Sequence, residues 1–357
     1  MTDSTTRLRS LTRRELLQTA TTALGMAALA PQAFAERPLY PAPTDPITPK
    51  VIVGTGSHRY ECLHDWLMPP PDILWGDTHG VVEDSKGRIY VTHTVHANSP
   101  KKDAIVVFDK NGKFLTSWGD QFVGGGHGIS VRKEGKEEFL YHCDIAHRKF
   151  CKTTLSGKVL WEKGAPEESG VYKKGEAFVP TNIAFSPNGD FYVADGYGSN
   201  WIHRYDLKGN YVSTFGGTGK EPGQFVTPHS IWLDNRNKDP LLVVADRENH
   251  RLQHLTLEGK PVKVYTDKMR RPCHFSIHND LLLVPDLVSV VTLMDKDNRV
   301  VAQLGDGDPS NLRDKPRNQF IPGKFIHPHG GTFLKNGDIL IAEWVPIGRM
   351  TRLRKLA

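Results

Sequence analysis

Self-similarity at a spacing of about 50 residues constrains this chain more than any other feature. The clearest unit, Thr181 to Gly216, reads TNIAFSPNGDFYVADGYGSNWIHRYDLKGNYVSTFG. An apolar strand ends in a Pro187-Asn188-Gly189 turn, and a second strand, FYVAD, follows. A third, WIHRYDL, ends at Lys208-Gly209-Asn210, and a fourth, YVSTFG, closes the unit. Turn residues between short apolar runs mark antiparallel hairpins, and strands this short bury too little to stand alone. The unit recurs with starts at 79, 127, 182, 229, 274 and 329, in steps of 48, 55, 47, 45 and 55 residues. The last copy, HGGTFLKNGDILIAEWVPIGRMTRLRKL, lacks a fourth strand, which the segment 49–54 (PKVIVG) can supply. Such closure removes open sheet edges. The reading is all-β: a six-bladed β-propeller over residues 49–357, with four-stranded blades and an N-terminal strand completing the last. A β-sandwich or two small β domains leave the repeat unexplained.

Aligning the copies places His79, His127, Asn182, His229, His274 and His329 at the start of the six innermost strands. Only 16 of 357 residues are histidine, so composition does not produce five in six. Equivalent positions of the inner strands form a ring around the propeller axis. Blades 2, 4 and 6 contribute His127, His229 and His329, related by a pseudo-threefold axis and so converging on one axial point. Three imidazoles with an open fourth position make the pattern of a catalytic zinc site. Copper, iron and nickel also accept imidazole. His79, Asn182 and His274 form an accessory triangle around the channel. A ring of solvated histidines is the competing reading.

The rest of the chain is consistent with an exported globular protein. Hydrophobic residues make up 38% and charged residues 24%, and the 33 glycines and 24 prolines suit many turns. The net charge of +6 is not gathered into a Lys/Arg stripe or a nucleic-acid motif, so no nucleic-acid partner is expected. Arg13-Arg14, a weakly apolar run from Thr19 to Leu29 and an Ala33-Phe34-Ala35 cleavage site resemble a twin-arginine signal. The expected organisation is a signal peptide over 1–35, a linker over 36–48 and a mature chain in the periplasm. The apolar run is too short for a stable membrane span. Of the four cysteines, Cys143 and Cys151 flank a short turn where a cross-strand disulfide is conceivable.

The stretch DGYGSNWIHRYDLKGNYVSTFG…PGQFVTPHSIWL…LLVVADRENHRLQHL resembles NHL-repeat propellers, and most resembles the peptidyl-α-hydroxyglycine α-amidating lyase family. The likeness is densest from Asp195 to Leu255. It implies that His127 in GGHGI, His229 in TPHSI and His329 in HPHGG hold a catalytic zinc. It further implies that Tyr197 in ADGYGSN is the base and that Arg247 in ADREN lies near the site. The implied reaction breaks a carbinolamide into an amide and glyoxylate. Tyr197, its pKa lowered by nearby cations, would take a proton. Three departures stand out. Gly330 replaces a family aspartate that helps hold calcium, which puts a calcium site in doubt. The first-blade arginine has no match, that region reading THTVH with His93 and His96, so His93 joins the accessory set. Gly198 replaces a cysteine.

The expectation is therefore an exported, zinc-dependent, lyase-like propeller enzyme acting on a small or peptidyl substrate. The alternative is a non-catalytic NHL propeller binding a protein, peptide or glycan through its channel face. A lactonase-like hydrolase ranks last, because it needs calcium with acidic and asparagine ligands and the ring offers only Asn182. Asp246, Asn249 and Arg251 read as a structural turn motif. Trp344 is expected to pack between blades.

Overall fold

The computed structural model describes residues 50–307 and 311–356. The expected signal and linker segments, 1–35 and 36–48, lie outside the described residues. Six antiparallel sheets form six blades around one axis. The innermost strands are Thr78–Glu83, Gly126–Glu134, Asn182–Phe185, Pro228–Asp234, Ser276–His278 and Pro328–Phe333. The fold is the expected six-bladed β-propeller. Among the described residues no helix is long and apolar enough to cross a membrane.

Alternation along the strands gives every blade two buried faces, so neighbouring blades share apolar layers. Blades 2 and 3 meet in an aromatic layer of Tyr141, Phe150, Phe178, Phe191 and Tyr205, with the Phe191 and Tyr205 rings stacked at 5.2 Å. Each such ring contributes roughly 1.5–3 kcal/mol by burial. The last blade is closed from the N-terminus, as expected, but by a different segment. Its fourth strand is Tyr60–Leu63, paired with Arg349–Lys355, and Ile52–Val53 adds a fifth strand outside it. Tyr60 and Cys62 alternate inward onto Leu283, Leu293 and Leu353, whereas Glu61 faces Arg354 on the other side and ion-pairs with it. The segment 49–54 supplies only one comparable anchor, Val53.

Cys143 and Cys151 are free thiols. Cys143 stands opposite Phe150 and Cys151 opposite His142, so the two point to opposite faces of blade 2. No cross-strand bridge joins them.

A carboxylate at the end of the second strand aims the inner strand in blades 3 to 6. Asp195, Asp246, Asp286 and Glu343 accept the backbone N–H of Val179, Val226, Arg271 and Ile326. Each of these amides lies three residues before a ring position. Asp246 also receives Asn249 Nδ2 and Arg251 Nε, which explains the turn motif of blade 4 as structural. Asp246→Ala leaves Val226 N–H and Arg251 Nε without an acceptor and removes the carboxylate that balances the guanidinium charge. Urea denaturation of that variant is expected to show a loss of about 3–5 kcal/mol.

Several histidines serve the scaffold. His142 bonds Thr153 Oγ1 at 2.9 Å and stacks on Phe122. His203 lies between Tyr172 Oη at 2.7 Å and Thr214 Oγ1 at 2.8 Å. Burial pushes His93, His142 and His203 down to about 3. The unfolded chain protonates these rings from about pH 6.5 downward, while the folded chain resists until about pH 3. Their contribution to stability is therefore complete above pH 6.5 and is lost as the pH falls towards 3. The slope is about 1.4 kcal/mol per pH unit for each ring. Urea midpoints measured across this range should fall with pH, and less steeply in His142→Asn.

Candidate metal centre

Because all six inner strands start at the same end of the axis, their first residues meet there. The rings of His127, His229 and His329 form a near-equilateral triangle, with centroids 5.0, 4.8 and 4.6 Å apart. His79 joins the same cluster, 4.7 Å from His127 and 4.6 Å from His329. Ring nitrogens of His79, His127 and His329 all lie within 4.8 Å of one another, a set able to hold a metal ion.

Backbone carbonyls of the neighbouring blades orient the rings. His127 Nδ1 donates to Thr181 O at 2.8 Å, His229 Nδ1 to Cys273 O at 2.7 Å and His329 Nδ1 to His79 O at 3.3 Å. A carbonyl only accepts, so each Nδ1 carries the proton and each Nε2 keeps its lone pair. Two glycines make this approach possible. A Cβ on Gly128 would sit 2.2 Å from Thr181 O, and one on Gly330 would sit 2.0 Å from His79 O. These are the carbonyls that hold His127 and His329. No side chain fits at position 330.

All five ring histidines are neutral at neutral pH. Burial, the dominant cause, lowers His127 to about 3 and His274 to about 4. It holds His79, His229 and His329 far below their ordinary value, helped by neighbouring imidazoles and, for His229 and His329, by Arg247. The Nε2 atoms of His79 and His127 are buried without a hydrogen-bond partner. Leaving such an acceptor unpaired costs about 1–3 kcal/mol. Neutral, converging imidazoles, two of them with unpartnered lone pairs, suit zinc, copper, iron or nickel.

The rest of the expected ring behaves differently. His274 Nδ1 bonds Gly331 O at 3.1 Å, and its Nε2 receives Asn182 Nδ2 at 3.4 Å. This pair is satisfied internally. His93 is corrected from an accessory residue to a scaffold one, because the backbone uses both of its nitrogens. Nδ1 accepts Gly76 N–H at 3.1 Å and Val95 N–H at 3.2 Å, and Nε2 donates to Asp103 O at 2.9 Å.

Tyr197 and Arg247 both reach the cluster. Tyr197 Oη lies 2.9 Å from His229 Nε2, and its ring meets His127 edge-on at 5.2 Å. Arg247 Nη1 donates to Tyr197 Oη at 3.2 Å, with the guanidinium 5.2 Å from the ring centre. The anticipated lowering of the Tyr197 pKa is corrected in direction. Burial of the hydroxyl end raises it, and Arg247 only partly offsets the rise. Tyr197 nevertheless keeps 36% of its surface accessible, so the residue bridges the histidines and solvent.

Sequence reading missed Arg313. Its guanidinium lies 3.8 Å over the Trp344 ring and ion-pairs with Asp77 at 2.9 Å, and its charge acts on His79 and His327. Trp344 is half-buried against Arg313 and His327 rather than packed between blades. Arg271, paired with Glu248, adds a third guanidinium that acts on Tyr197. The 55-residue step from 274 to 329 was the available signal, since it implies the long connection that carries Arg313. At the other end of the axis, the far ends of the inner strands enclose a cavity of about 700 Å³ lined by Val131, Phe185, Trp232 and Phe333. It is separate from the histidines.

No protein-family model matches the chain. The chain is 30% identical over 156 residues to a probable peptidyl-α-hydroxyglycine α-amidating lyase of Caenorhabditis elegans, covering 42% of each chain. It is 26% identical over 245 residues to peptidyl-α-hydroxyglycine α-amidating lyase 1 of Drosophila melanogaster, covering 60% of this chain and 44% of that one. The peptidylglycine α-amidating monooxygenase of Rattus norvegicus is 29% identical over 232 residues, 58% of this chain and 23% of its own length. The chain thus spans less than half the length of these relatives. A streptogramin B lyase structure superposes with a TM-score of 0.55 at 14% identity, over 83% of this chain and 97% of that one, a likeness of fold. The sequence relatives are amidating lyases and amidating monooxygenases, and the architecture is consistent with an NHL-type propeller.

Gly128→Ala and Gly330→Ala force a neighbouring blade away and are expected to lose about 1–3 kcal/mol in urea denaturation. Gly164→Ala, with nothing within 4 Å, should be neutral.

Proposed function

We propose that this chain is an exported, metal-dependent, lyase-like enzyme, with zinc at the propeller axis and a carbinolamide such as a peptidyl-α-hydroxyglycine as substrate. The observation that carries the reading is the set of three carbonyl-anchored imidazoles, His127, His229 and His329, beside the Tyr197–Arg247 pair. The amidating-lyase relatives support the reaction class.

His127, His229 and His329 would hold the ion through Nε2, with the Tyr197 hydroxyl giving up His229 Nε2 and the His79 ring giving up His329 Nε2 as the ion enters. A zinc ion bound there supplies Lewis-acid charge that acidifies the substrate hydroxyl and favours the Tyr197 phenolate. Burial keeps Tyr197 protonated at rest, and Arg247 supplies the charge that offsets this cost once the proton leaves. With the ion bound, the resting Tyr197 proton would leave to solvent at the exposed mouth, and the phenolate Oη would then take the substrate hydroxyl proton. The new C=O bond forms as the C–N bond breaks, with the electron pair going to the amide nitrogen. That nitrogen takes the proton from Tyr197 Oη, which restores the phenolate and gives the amide and glyoxylate. The exposed part of Tyr197 and the Arg271 and Arg313 guanidiniums leave the mouth suited to an anionic substrate end.

Metal analysis of the untagged mature protein should find one transition metal per chain, and an α-hydroxyglycine peptide should release glyoxylate. Tyr197→Phe should lower kcat by about 10²–10⁴ and leave bound metal unchanged. No stoichiometric metal after zinc is added would sink the reading. Metal without glyoxylate release would remove only the substrate.

A further inference from the structure

We infer that His79 is a fourth imidazole ligand, so that the axial site is a four-histidine site built by blades 1, 2, 4 and 6. The inference rests on the metal reading above and is independent of the substrate assigned there.

Three observations carry it. The first is position. His79 is no farther from His127 and His329 than they are from His229, with ring separations of 4.7 and 4.6 Å against 5.0 and 4.6 Å. It is His79, with His127 and His329, whose ring nitrogens all come within 4.8 Å. The second is the lone pair. His79 Nδ1 lies 3.4 Å from His329 Nε2. His329 Nδ1 already carries the proton given to His79 O, so His329 Nε2 accepts and His79 Nδ1 donates. His79 Nε2 is then a bare acceptor, buried and unpartnered, just as His127 Nε2 is. Two such buried acceptors side by side call for a shared electrophile.

The third is anchorage. His127, His229 and His329 each have Nδ1 tied to a backbone carbonyl, and His274 is tied to Gly331 O. His79 alone of the five has no carbonyl holding its ring; its one ring hydrogen bond is the long one to His329. It is therefore the least tethered ring and the one able to withdraw, and its long hydrogen bond to His329 Nε2 would give way when both rings turn to the ion. Four imidazoles fill a tetrahedral shell, so a substrate oxygen enters by displacing His79 or as a fifth ligand.

Cobalt(II) loading of the full mature protein tests this. The wild-type chain should bind one cobalt, with a visible spectrum typical of four nitrogen ligands. His79→Gly and the space-filling His79→Gln should weaken cobalt binding at least about tenfold and change the spectrum. Millimolar imidazole should restore the spectrum of His79→Gly, a rescue that a purely structural role does not allow. An unchanged spectrum and affinity in both folded variants overturns the inference while leaving a three-histidine site. A changed spectrum that imidazole does not restore also overturns it. Failure of the wild-type chain to bind cobalt or zinc overturns the metal reading itself.

Discussion

The site depends on one repeated contact: an imidazole Nδ1 of one blade donating to a backbone carbonyl of a neighbouring channel strand. It occurs at His127, His229 and His329, and again at His274. One hydrogen bond does three things. It settles the tautomer, it turns Nε2 inward, and it ties neighbouring blades at the crowded end of the channel. The contact needs blades close enough for a carbonyl to reach a ring, which is why Gly128 and Gly330 follow their histidines. The carboxylates of Asp195, Asp246, Asp286 and Glu343 work one step earlier. They hold the approach to the inner strand so that the ring residue arrives at a fixed height. Apolar layers between the blades supply the stability, and these polar contacts supply the aim.

Burial then sets the chemistry. A dry channel suppresses protonation of the imidazoles, which prepares them as neutral donors. The same desolvation raises the Tyr197 hydroxyl, so the environment that favours metal ligation disfavours a free phenolate. Arg247 is placed against that conflict, with Nη1 on the hydroxyl and its own charge partly balanced by Glu248. Cationic charge next to a buried phenol allows the tyrosine to exchange a proton beside neutral histidines.

Much of this was legible in the sequence because it repeats. Six copies of one unit establish blade number, and the alignment of His79, His127, His229, His274 and His329 follows from the copies alone. Features that occur once were not legible. The closing strand was misplaced because PKVIVG is the more apolar run, while Tyr60–Leu63 wins by setting Tyr60 and Cys62 into a shared layer and Glu61 against Arg354. His93 looked like a channel residue because THTVH stands where the resemblance puts a first-blade arginine, yet the backbone around it consumes both nitrogens. Arg313 lies in a connection outside the repeat, and nothing local to it announces a stack on Trp344.

The repeat also explains why the ring divides as it does. Six equivalent positions would give six equivalent side chains, and a small ion at the axis has no use for six. Asn182 breaks the symmetry. Its amide engages His274 Nε2 and, through Oδ1, the Ile231 N–H, which removes two of the six positions from the axis as a self-satisfied pair. Four imidazoles remain, contributed by blades 1, 2, 4 and 6. Tyr197 comes from the loop after the second strand of blade 3 and enters on the side that blade leaves open, reaching His229 there. An asparagine among the histidines thus turns a symmetric ring into a four-imidazole cluster with Tyr197 on one side.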